Sequence, residues 1–199
     1  MPKLFGDALA QRRGRAFHAL MEAWPLMDQD TELAIESMAS RPVWVRLLAP
    51  FGLSEPERSD VLRRARSVLR RDDLREFLGL PSLQSPQVPL NRPGSIATGP
   101  DHLIERTWLT PDGRLIRPDW VLRWTEATVP RLRIVDWKWA VLESERQAYA
   151  DQLSLYQSAL AHHYPDHQIE AAVLTAEGHC WRLTDQGLVH WSPAGRPAL

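Results

Sequence analysis

The sequence predicts an α/β or α+β domain around a mixed sheet, with a helical region before it. Apolar residues recur at helical spacing from Ala8 to Leu78, and the pattern changes to strand-like alternation after Asp101. From there the order is three strands, one long helix and two more strands. With 199 residues and 44% hydrophobic content, the chain suffices for one domain with a real core. A doubly wound nucleotide-binding fold is disfavoured, because no Gly-rich strand–helix turn occurs. G-x-x-x-x-G-K-[ST] is absent too, which excludes ATP hydrolysis by the usual P-loop route.

Leu9, Phe17, Leu20, Met21 and Trp24 form the apolar stripe of a helix over residues 8–24, opposite Gln11, Arg12, Arg13 and Arg15, and Pro25 ends it. Further helices are expected over Thr31–Ala39, Val43–Leu48, Glu55–Arg71 and Asp72–Leu78. Ser54 caps the third of these, with Pro56 in its first turn. Leu80 to Pro100, rich in proline and serine, reads as a linker. Strands are expected over Leu103–Leu109 and Leu115–Trp124, joined by the Thr110-Pro111-Asp112-Gly113 turn. A third strand, Arg131–Trp139, follows a turn over Ala127–Pro130. A helix over Glu143–His163 leads to strands Ile169–Thr175 and Cys180–Thr184, and the tail from Ser192 to Leu199 frays. The organisation expected is one domain over 1–199: a mainly helical part over 1–100, an αβ core over 101–190 and a tail over 191–199.

Composition narrows the function classes. A net charge of −1 is unlike a general nucleic-acid coat protein, although a local basic groove remains compatible with it. Cys180 stands alone, so an internal disulfide or a four-cysteine metal site is excluded and a reducing, cytoplasmic compartment is expected. No apolar run approaches a membrane span, and the start lacks the apolar core of a signal peptide.

The chemistry concentrates in Arg117-Pro118-Asp119-Trp120 and Ile134-Val135-Asp136-Trp137-Lys138-Trp139. Of 24 basic residues, all but Lys3 and Lys138 are arginine, so Lys138 is the lysine expected inside the fold. Alternation puts Asp136 and Lys138 on one face of their strand, with Trp137 and Trp139 on the other. Asp119 is expected on the neighbouring strand. Two close carboxylates repel unless a cation lies between them, and a hard ion such as Mg2+ or Mn2+ meets that need. Such an ion makes a coordinated water more acidic, and Lys138 can stabilise phosphoryl charge. The alternative is an ordinary solvent-facing ion pair.

Other motifs surround this pair. They are Arg13-Gly14-Arg15-Ala16-Phe17-His18-Ala19-Leu20-Met21-Glu22, Ile104-Glu105-Arg106, and Gln152-Leu153-Ser154-Leu155-Tyr156. With them, from about residue 12 to 184, the chain resembles the PD-(D/E)XK nuclease superfamily. Within it, the chain is similar to the RecB-like nucleases at the C-termini of bacterial AddAB- and RecBCD-type helicase–nucleases. The resemblance implies a restriction-endonuclease-like core. It implies that His18, Asp119, Asp136 and the Trp137 carbonyl ligate Mg2+ or Mn2+, that Lys138 is the catalytic lysine, and that Gln152 and Tyr156 line the site. Glu105 matches an acidic position that supports the site. Glu22, one turn from His18, reads as a partner behind the metal ligands.

Arg12, Arg13 and Arg15 flank His18 and are candidates for contacts to a DNA backbone. The run Arg63, Arg64, Arg66, Arg70, Arg71, offset by Asp60, Asp72 and Asp73, reads as a solvated helix face, with a phosphate-tracking stripe as the minority reading. Two features depart from the family pattern. Trp139 stands where a small or hydroxylated residue is common, and the four cysteines of the iron–sulfur branch are missing. No nucleotide cofactor is expected. The function implied is a metal-dependent DNA nuclease acting on single strands or ends, as the exonuclease module of a helicase–nuclease, whose motors are not in this sequence. The alternatives are a stand-alone endonuclease in phage defence or a mobile element, and a nuclease-fold module that binds DNA or a partner without cutting.

Overall fold

The computed structural model describes residues 8–24, 35, 38, 41–80, 101–104 and 106–191. Outside these lie most of the expected Thr31–Ala39 helix, the linker beyond Leu80, Glu105 and the tail from Ser192. Helix α1 spans Ala8–Ala23, α2 Pro42–Leu48, α3 Glu55–Arg70 and α4 Asp72–Phe77, with a 3-10 turn over Ala49–Phe51. Helix α3 starts at a capping box: the Ser54 N–H donates to Glu57 Oε2 at 2.6 Å, and the Glu57 N–H turns back to the Ser54 side chain.

The strands are β1 (Asp101–Ile104), β2 (Trp108–Leu109), β3 (Leu115–Ile116), β4 (Trp120–Glu126), β5 (Val129–Lys138), β6 (Gln168–Thr175), β7 (Cys180–Thr184) and β8 (Gly187–Trp191). Helix α5, Arg146–His163, follows a 3-10 turn over Glu143–Glu145 and connects β5 to β6. The main sheet has the order β1-β4-β5-β6-β7-β8. Among the described residues only β5 and β6 pair in parallel, the pairing that needs a crossover as long as α5. The sheet is therefore mixed and flanked by helices, as the sequence predicts.

Three expectations need correction. The strands expected over Leu103–Leu109 and Leu115–Trp124 each break in two, and β2 pairs with β3 in a separate ribbon. The second break falls at Arg117-Pro118-Asp119, where Pro118 has no N–H to donate to a ladder. Asp119 therefore stands in the bend before β4 rather than within a strand. The turn expected over Ala127–Pro130 is only Ala127 and Thr128, at φ 45° and 80°, and Pro130 lies inside β5 opposite Thr125. An eighth strand, β8, pairs with β7; its run of five residues gives little periodicity to detect.

Alternation along the sheet sorts its residues into two cores. Trp120, Leu122, Val135, Trp137, Ala172 and Leu174 pack under α1, α2, α3 and α4. Val121, Leu132, Ile134, Ala171 and Val173 pack under α5, with Leu153, Tyr156, Ala159 and Leu160. The ends of β4 and β5 nearest Asp119 and Lys138 thus lie where the two helical layers approach each other.

Candidate active site

The break at Pro118 creates the first part of the site. Trp120 pairs with Val135, so Asp119 stands across from Asp136 at the open end of the β4–β5 ladder. There the Asp119 carboxylate takes the place of a strand carbonyl: Oδ2 accepts the Trp137 N–H at 2.6 Å. The Trp137 ring is wedged edge-on between Phe17 of α1, at 6.0 Å, and Trp120, at 5.3 Å. One residue thus ties the carboxylate to the core through its amide and to α1 through its ring.

Helix α1 presents His18 to this bend. Its Nδ1 is 3.2 Å from Asp119 Oδ2, and its Nε2 is 2.6 Å from Glu22 Oε1, one turn further along. Burial disfavours the charged ring, but the hydrogen bonds to Asp119 and Glu22 outweigh it and raise the His18 pKa to about 10. His18, Glu22 and Asp119 each offer a ligand atom, all within 4.8 Å of one another. Glu22 is therefore a potential ligand, a larger role than the sequence reading gave it. The signal available was its spacing of four from His18.

Asp136 is buried on the α5 face, 2% exposed. Burial and the neighbouring Asp119 charge raise its pKa to about 6, against the opposing pull of Lys138. Lys138 Nζ lies 2.5 Å from Asp136 Oδ2, a close ion pair between the lysine and the buried carboxylate. Burial opposes the Lys138 charge, but Asp136 and Asp119 raise its pKa. From α5, the Gln152 amide reaches Asp136 Oδ1 at 3.5 Å and donates to the Tyr156 hydroxyl at 2.6 Å.

A cavity of about 480 Å³ opens beside His18, Glu22 and Lys138, lined also by Arg15, Phe51 and Arg117. Arg12 and Arg13 instead lend their charge to Glu57 at the start of α3. Trp139 lies beyond Lys138, edge-on to Phe17 at 6.3 Å, with the Arg64 guanidinium 4.7 Å over its ring. Its Cβ would lie in ordinary van der Waals contact, 3.5 Å, with a side chain at position 14, so α1 passes over the end of β5 at Gly14. The bulky residue after the lysine is thus packing between α1 and α3. The arginines of α3 and its C-cap are not a bare stripe: Arg63 and Arg64 pair with Asp60, Arg64 also with Glu177, and the C-cap Arg71 with Asp73 and the Gly178 carbonyl.

The donor set suits a divalent ion. The carboxylates of Glu22 and Asp119 and the His18 imidazole can share one ion, and the buried Asp136 carboxylate, paired with Lys138, stands at the same end of the sheet. No curated protein and no solved structure matches this chain. The model of the PD-(D/E)XK nuclease superfamily, however, matches residues 2–192. With that match across nearly the whole sequence, and on a mixed sheet flanked by helices, the chain belongs to the PD-(D/E)XK nuclease superfamily, whose members are nucleases that generally use divalent metal ions.

Proposed function

We propose that the chain is a metal-dependent deoxyribonuclease of the RecB-like, AddAB-type branch, cutting single strands or ends as the exonuclease module of a cytoplasmic helicase–nuclease in recombinational repair. The observation that supports this most is the convergence of His18, Asp119, Asp136, Lys138 and Gln152, from α1, the sheet and α5, beside one cavity. His18, Asp119, Asp136 and the Trp137 carbonyl hold the ion, with Glu22 beside them. Mg2+ or Mn2+ bound there neutralises charge on the phosphoryl oxygens and makes a coordinated water a better nucleophile. Lys138 is a compact cation at the same end of the sheet and stabilises the charge that builds on the phosphoryl group. Gln152 and Tyr156 hold the Asp136 carboxylate in orientation, and Arg15 and Arg117 meet the nucleic-acid backbone where the cavity opens. Arg12 and Arg13 extend that contact along α1.

Cleavage of end-labelled single- and double-stranded DNA with Mg2+ or Mn2+ tests the reading. Asp136→Asn and Lys138→Ala should each slow cleavage by about a hundredfold or more, with unchanged circular dichroism. Undiminished cleavage by Asp136→Asn would falsify the assignment. Cleavage of closed single-stranded circles would favour the endonuclease alternative, and an inert wild type the non-cutting module.

A further inference from the structure

Lys138 has a second neighbour besides Asp136. Its Nζ lies 5.2 Å from the ring centroid of Tyr149 on α5, within the range of a cation–π contact. The lysine side chain is 24% exposed, so its ammonium is only partly held by water. A flexible four-carbon stem leaves such a group several poses, and catalysis needs one of them.

Tyr149 is half-buried. It precedes Gln152 by three residues and Tyr156 by seven, which puts the three on one face of α5. Burial and the neighbouring Glu145 charge raise the pKa of its hydroxyl, and the Glu145 carboxylate accepts the Leu142 N–H at 3.2 Å. The half-buried ring thus stands beside the lysine that ends β5.

We propose that Tyr149 is a positioning residue for Lys138: its ring face holds the ammonium beside Asp136 in the pose that meets the phosphoryl group. Gln152 and Tyr156 orient the carboxylate, while Tyr149 orients the cation. The kinetic consequence rests on the nuclease reading, but the contact itself does not.

The chain offers a direct probe, because Lys3 and Lys138 are its only lysines. Protein labelled with 13C at lysine Cε gives two signals, and Lys138→Ala identifies one of them. Ring current from Tyr149 should shift the Lys138 signal upfield in the wild type and in Tyr149→Phe. In Tyr149→Leu the signal should return to the position of Lys3. A Lys138 signal that does not move in Tyr149→Leu overturns the proposal. In cleavage assays Tyr149→Leu should lower kcat about tenfold with little change in KM, and Tyr149→Phe should recover most of the rate. Equal losses in both variants, or a loss confined to KM, also overturn it. If the wild type cleaves nothing, the nuclease reading fails while the spectra still decide the contact.

Discussion

Both ring nitrogens of His18 face carboxylates, Nδ1 toward Asp119 and Nε2 toward Glu22, so its pKa of about 10 keeps the ring an imidazolium at neutral pH. An imidazole must be neutral to ligate a metal, so an ion held by His18 displaces that proton. Asp136, with its pKa raised to about 6, adds to the competition on the acid side. Mn2+ affinity should therefore tighten between about pH 6 and pH 8. Calorimetric titration in buffers of different ionisation enthalpy should detect net proton release. A pH-independent affinity without proton release would remove His18 from the ligand set. At this scale Asp119, Asp136 and Lys138 were legible as close neighbours and Gln152 through the resemblance, and the structure brings the four to one end of the sheet. Glu22 was legible only as a helical neighbour of His18. Its turn toward Asp119 depends on how α1 is rotated against β5, and that is set by Phe17 on Trp137 and Gly14 against Trp139, contacts between distant parts of the chain.

Among the elements, the β4–β5 hairpin carries local strain that its sequence does not advertise. Ala127 and Thr128 both have positive φ, which suits Asn-Gly and is costly for a β-branched threonine. Replacing them by Ala127→Asn with Thr128→Gly should raise stability by about 1 kcal/mol. Chemical denaturation should show it, and the site, at the other end of the hairpin, should keep its metal affinity. An unchanged or lower midpoint would mean that the turn is not strained. Helices were easier to anticipate than strands, because caps such as Ser54 with Glu57 are local signals. The breaks around β2 and β3 and the pairing of β8 arise from competition between partners in space. Pro118 was visible, but its effect on the ladder depends on which strand lies alongside.

Across the whole molecule, charge holds the α1–α4 side of the sheet together. Glu170 on β6 pairs with Arg133 of β5 at 2.9 Å and with Arg182 of β7, and the Arg133 guanidinium lies 4.0 Å over the Phe77 ring of α4. Burial works against the Glu170 charge, but the two arginines lower its pKa below 4.5. A lowered folded-state pKa contributes stability that is fully present above the unfolded value and is lost as pH falls through the folded one. Glu170→Gln should therefore lower the melting temperature at neutral pH and flatten its decline below about pH 4.5. Parallel melting curves for variant and wild type across that range would show that the network carries no pH-dependent stability.

The same molecule-wide view bears on where the candidate ligands originate. His18 and Glu22 belong to a helix of one layer, while Asp119 belongs to the rim of the sheet beneath it. An ion shared by them is a fastener between layers as well as a reagent, adding to the fold about 2.7 kcal/mol at a hundredfold excess over its dissociation constant. Without the ion, the His18 proton does a weaker version of the same job, one positive charge clamped between two negative ones. Losing the ion would therefore silence the chemistry and slacken the seam at once, so the protein is most rigid when it is armed.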